Sequence, residues 1–182
     1  MDRGYRALVV EYIRLETMVQ QLMAETGMRF GTGCGLEQTV VGHHYLAVRE
    51  AVYEPVFNLI RSIPFDVDAG ISFLFLPMPA PGFCLLRTYV LDRLRRAPFT
   101  ADQAQQLRDL AVELCASRTA GYCLQAFVRV RRLMVRIGTP DLIWTLAAWA
   151  NHPEGATRRR TQAMLTAILQ QRPDLPQVHH RP

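Results

Sequence analysis

Cys34, followed nine and ten residues later by His43 and His44, is the grouping in this chain that most resembles a nucleophile with its base. A thiol becomes a useful nucleophile beside an imidazole or at a helix N-terminus. Cys34 stands just ahead of a helical pattern, which meets the second condition. The spacing works against the first. A histidine nine or ten residues along a mostly helical chain lies about 12–15 Å from the helix start. None of the local signatures of cysteine enzymes surrounds Cys34. The expectation is a protein that is not an enzyme, with Cys34 as the sole nucleophile to test.

Metal chemistry fares no better. Adjacent histidines on a helix point about 100° apart, and Cys115 and Cys123 miss the usual Cys-x2–4-Cys spacing. Gly31, Gly33 and Gly35 form a glycine-rich connector, but neither GxGxxG nor GxxxxGK[ST] is met and no strand precedes it. Asp66 and Asp68 read as loop or cap residues rather than an acid–base pair. No metal and no cofactor is expected.

The arginines carry the stronger signal. All 21 basic residues are arginine, against 16 acids, for a net charge of +5. The charge is divided: residues 1–86 carry a net −3 and residues 87–182 a net +8. A guanidinium suits bidentate contact with carboxylate or phosphate. Arg93, Arg95 and Arg96 close one helical pattern. Arg129, Arg132 and Arg136, at spacings of three and four, share one face of another, with Arg131 beside them. Arg158, Arg159 and Arg160 fall in the first turns of the last helix, where basic residues oppose the helix dipole. Together these ten are the candidate surface for an acidic partner or a nucleic acid. No known nucleic-acid-binding motif is present, and no aromatic residues interleave the arginines for base stacking.

The elements that must hold these residues are helical. Thr100 to Gly138 organises the chain: Thr100 with Gln103 makes a capping box, and Leu107, Leu110, Ala111, Leu114 and Cys115 recur at helical spacing. A break is expected near 117–121. Residues 127–137 read as helix, although Val128 to Arg131 alternates as a strand would. Gly138 ends that run and Thr139-Pro140 opens a short apolar helix with Trp144 and Trp149, to be buried or to anchor an interface. Asp2 to Thr26 is an amphipathic helix whose seam of Tyr5, Leu8, Tyr12, Leu15, Val19 and Leu22 resembles that of a coiled coil. Residues 37–61 read as a helix that Pro55 kinks or splits. Gly70 to Pro81 reads as an irregular, extended apolar crossover. In the helix from Phe83 to Ala97, Leu85, Leu86, Tyr89, Val90 and Leu94 are expected inside, with Arg87, Arg93, Arg95 and Arg96 outside.

The fold expected is all-α, a compact bundle of about six or seven helices over residues 1–171, with 172–182 as a flexible C-terminal tail. The uncharged run from Ala69 to Leu86 contains Pro77, Pro79 and Pro81, which excludes a spanning helix there. Four scattered cysteines and the absence of a secretory leader lead to the expectation of free thiols in a reducing compartment, cytoplasmic or nuclear. The leading functional reading is a helical adaptor or regulatory subunit. It self-associates through the first helix or the tryptophan helix (Trp144, Trp149), docks an acidic partner on its basic half, or does both. The alternative is a nucleic-acid-binding regulator using the same arginines.

Overall fold

The coiled-coil-like seam of the first helix is buried within its own chain. In the computed structural model, which describes residues 3–30, 35–76, 81–116 and 124–176, the first two helices are α1 (Arg3–Thr26) and α2 (Val40–Arg61). The Tyr5 hydroxyl donates to the Val52 carbonyl at 2.7 Å, and the Tyr12 and Tyr45 hydroxyls meet at 3.2 Å. Partners that fall in number as the other strand of contacts rises make α1 and α2 an antiparallel pair. α1 stops at Gly27, whose φ of 72° suits a residue without a Cβ and whose amide bonds back to the Met23 carbonyl at 3.0 Å. α2 starts at Thr39, whose hydroxyl accepts from the Gly42 amide at 2.9 Å. It runs on through Pro55, which therefore does not split it. Pro55 is exposed, while Val52, Val56 and Leu59 remain buried on either side and hold the helix together.

Six more helices follow: α3 (Val67–Leu74), α4 (Pro81–Leu94), α5 (Ala101–Ala116), α6 (Leu124–Ile137), α7 (Pro140–Trp149) and α8 (Gly155–Gln171). The described residues therefore hold eight helices rather than six or seven, and no strand. Residues 127–137 lie within helix α6. The extra helix is α3, where an extended crossover was expected. Its start signal was present in the chain, since the Asp66 carboxylate accepts from the Ala69 amide at 2.9 Å. What hid it was composition: Gly70, Ile71, Phe73 and Leu74 are all buried, so no polar face marks the helical period.

α4 joins the two ends of the molecule, packing on α2 and α3 and on α6. Its interior face differs from the expected one. Leu85 and Tyr89 are 50% and 45% exposed, whereas Arg87 is 2% exposed, deeper than many of the leucines. Its guanidinium is met there by a carbonyl, donating to the Leu76 main-chain oxygen just past α3. Phe83, Leu86, Val90, Leu91 and Leu94 share the buried side.

The capping box at the head of α5 forms in both directions. The Gln103 amide donates to the Thr100 hydroxyl at 3.2 Å, and the Thr100 amide donates to the Gln103 side chain at 3.0 Å. Gln103 also donates to Asp68 on α3 at 2.7 Å. Thr100→Ala is expected to lower stability by about 1 kcal/mol in urea titration. α6, α7 and α8 complete the C-terminal half, with α8 against α6, α7 and α5. Beyond α8 the chain turns back rather than leaving at residue 172. Leu175 is buried close to Gly138, and Arg172 donates to the Val135 carbonyl at 3.3 Å. The remainder of the expected tail, 177–182, lies outside the described residues. Cys84 is disulfide-bonded, which departs from the expectation of free thiols, while Cys115 is free and buried. No described helix is long and apolar enough to cross a membrane.

Candidate functional site

An α-helix leaves its last four carbonyls without intrahelical donors, and these sit at the negative end of the helix dipole. In this protein arginines repeatedly donate to such carbonyls or to carbonyls just past a helix end. Arg93 donates to the carbonyl of Ser62, the C-cap of α2, at 2.6 Å, with its guanidinium 5.3 Å over the Phe65 ring. Arg136 donates to the Arg95 carbonyl past α4 and lies 5.0 Å over Phe99. Arg160 reaches the Cys115 carbonyl at the end of α5, at 3.2 Å. Arg108 reaches the Ile137 carbonyl at the end of α6, at 3.1 Å. Arg158 reaches the His152 carbonyl beyond α7, at 3.0 Å. A planar guanidinium can stack on a ring and donate at the same time, which suits it to this task better than an ammonium.

The pattern divides the ten arginines singled out above. Arg93, Arg136, Arg158 and Arg160 are held on the chain's own carbonyls, and Arg129 pairs with Asp92 at 3.5 Å. Arg95, Arg96, Arg131, Arg132 and Arg159 keep side chains that make no hydrogen bond or ion pair within the described residues. Arg95 and Arg136 meet at the C-terminal end of α4, and α8 reaches the C-terminal end of α6 through Ile168 beside Gly138. The Arg158–Arg160 triplet is in the first turns of α8, about 12–15 Å from Ile168 along its axis.

Arg131 and Arg132 line a groove of about 490 Å³ between α6 and α8. The facing wall is polar: Gln162, Thr166, Gln170 and Gln171. No carboxylate lines this groove. The α8 residues escaped sequence reading, although Gln162, Thr166 and Gln170 recur every fourth residue, the spacing of one helix face. Amides and hydroxyls beside two guanidinium groups offer many donors to an anion and no repelling charge.

A second groove, of about 390 Å³, lies between α5 and α7. Val112, Ala116, Leu142 and Trp149 give it an apolar lining, and Asp109, Glu113 and Asp141 are its exposed carboxylates. Its one guanidinium, Arg108, is turned toward Gln105 and the Ile137 carbonyl.

The residues expected for self-association are also divided. Tyr5, Tyr12, Leu15 and Val19 are buried against the chain itself, Leu22 is half-buried and Leu8 lies at the edge of the exposed surface. The first-helix seam is therefore core. Trp149 is half-buried and stacks on His152, with ring centroids 5.8 Å apart. Trp144 is 57% exposed on the outer side of α7, so the tryptophan helix is not deeply buried as a whole.

Of the candidate catalytic group, Cys34 lies outside the described residues. His43 is exposed, and His44 faces Glu11 on α1 at 3.3 Å. The Arg14 guanidinium, donating to Glu11 at 2.6 Å, joins His44 in holding that carboxyl down at about 2. Burial pushes the Cys115 thiol up to about 11, which leaves little thiolate at neutral pH. Among the described residues no three His, Cys, Asp or Glu side chains gather as metal ligands. No family model, curated protein or solved structure matches this chain.

Proposed function

We propose that this chain is a non-enzymatic helical interaction protein, an adaptor or regulatory subunit, that docks an acidic partner in the groove between α6 and α8. The observation that carries this reading is the placement of Arg131 and Arg132 opposite a wall of glutamines and a threonine, with no carboxylate in the lining. Much of the remaining positive charge is engaged by the chain's own helix ends, so net charge overstates the basic surface open to a partner.

The nucleic-acid reading rests on the same arginines plus Arg95, Arg96 and Arg159, which are free of partners among the described residues. Polyphosphate binding gains from many cations along one track, through counterion release. A single short groove with two arginines and no carboxylate favours a compact acidic protein segment instead.

The test is fluorescence anisotropy with a labelled poly-glutamate peptide and, separately, a random single-stranded oligonucleotide. Arg131→Ala/Arg132→Ala is expected to weaken peptide binding about tenfold or more, since charge-assisted hydrogen bonds contribute about 1.5–3 kcal/mol each. Arg132 is exposed and Arg131 half-buried, so circular dichroism is expected to stay unchanged. Equal peptide affinity in the double variant would remove the groove from the interaction. Tight oligonucleotide binding with a steep salt dependence would put the nucleic-acid reading first.

A further inference from the structure

The two grooves are opposite in charge. The α6–α8 groove presents two guanidinium groups and no carboxylate, and the α5–α7 groove presents three carboxylates around one guanidinium tied to its own helices. We propose that the acidic partner of the α6–α8 groove is the α5–α7 groove of a second copy of this chain, so that copies join head to tail. This rests on the reading of the α6–α8 groove as a docking surface and names its partner.

Three observations favour a second copy. The first is charge complementarity at matching scale. Asp109 and Glu113 lie one turn apart on α5, with Asp141 across the groove on α7, and each can accept from an arginine fork. The second is the lining. Val112, Leu142 and the half-buried Trp149 offer apolar and aromatic surface on which arginine stems and guanidinium planes can rest. Val135, between the arginines and α8, offers the other copy an apolar contact in return. The third is that the α1 seam already packs on α2, which removes that seam as a contact between copies.

The grooves are built from different helix pairs, so their union is heterologous. Such contacts close into a ring or continue as a chain of copies. The exposed charges at the groove edges make the association sensitive to salt.

The experiment is light scattering after size exclusion on the full chain, over a range of protein concentrations at low and high salt. Mass is expected to rise with concentration at low salt, and high salt is expected to weaken association about tenfold. Arg131→Glu/Arg132→Glu and Glu113→Arg/Asp141→Arg are each expected to be monomeric. Mixed together, they are expected to reassemble, because the native basic groove of one meets the native acidic groove of the other and the two reversed grooves are again complementary. Arg131→Gln/Arg132→Gln and Glu113→Gln/Asp141→Asn give the same two monomers without reversing charge, and their mixture is expected to stop at a one-to-one pair, because each retains the groove the other lacks.

A wild type that stays monomeric throughout would overturn the inference, as would mixed variants that fail to pair or a single variant that alone assembles like the wild type. The outcomes separate this inference from the reading beneath it. A monomer that still binds poly-glutamate through Arg131 and Arg132 keeps the docking groove and rejects the second copy.

Discussion

Gly42→Ala is expected to destabilise the protein by at least about 4 kcal/mol, a large part of the 5–15 kcal/mol that holds an ordinary domain together. Gly42 lies in the first turn of α2, directly against the short 3₁₀ turn Leu36–Gln38. A Cβ at position 42 would overlap the carbonyl carbon and oxygen of Leu36. The obstacle is backbone, so no change of rotamer relieves it. Nor is that carbonyl free to move. It accepts from the Thr39 hydroxyl at 2.7 Å and from the Thr39 amide at 3.0 Å, while Thr39 itself caps α2 through the Gly42 amide. Shifting the turn would release the cap and withdraw Leu36, whose side chain is completely buried. Urea unfolding followed by circular dichroism measures the loss. A midpoint equal to that of the wild type would show that the turn does not pack on α2 in this way.

Arg87→Ala is the second large effect, expected to cost about 3–5 kcal/mol by leaving a cavity and a carbonyl without its donor. Arg87 is enclosed by the α4 core, and its guanidinium holds the Leu76 carbonyl beyond α3. Arg87→Met separates the two contributions. It refills most of the volume but supplies no donor, so its cost is expected to fall to about 1–3 kcal/mol. A methionine variant as unstable as the alanine one would assign the effect to the lost hydrogen bonds. A methionine variant as stable as wild type would assign it to volume alone. Both substitutions are also expected to loosen α3, which hydrogen exchange of the Phe73 to Leu76 amides would register as faster exchange.

These two residues show where sequence reasoning stopped. Gly42 sits inside a good helical pattern, where a glycine is ordinarily only a mild defect of about 1 kcal/mol. Its importance comes from a turn that touches α2, and a close approach of two backbones leaves no mark on either segment alone. Arg87 had been expected on the outer face of its helix with Arg93, because charged residues normally face water. The choice between burying Arg87 and burying Tyr89 was made by an orphan carbonyl at the end of α3, a helix not expected from the sequence.

The same logic separates the candidate sites. Spacing places Arg93, Arg136, Arg158 and Arg160 on helix faces but does not reveal what those faces meet. Each meets the carbonyl end of another stretch of chain. The seam of Tyr5, Tyr12, Leu15 and Val19 was recognisable as a packing face, but the pattern of a helix that binds its own chain is the same as one that binds another.

By itself the sequence determined the helical class, the ends marked by Thr100–Gln103 and Thr139–Pro140, and the division into an acidic and a basic half. Those features rest on side chains a few residues apart, and their physics is local. Tertiary structure alone decided which arginines cap helix ends, which way α4 faces, and which two remain in a groove. Those outcomes depend on carbonyls and carboxylates brought together from distant parts of the chain, as with Arg160 and Cys115, 45 residues apart in sequence and 3.2 Å apart in space.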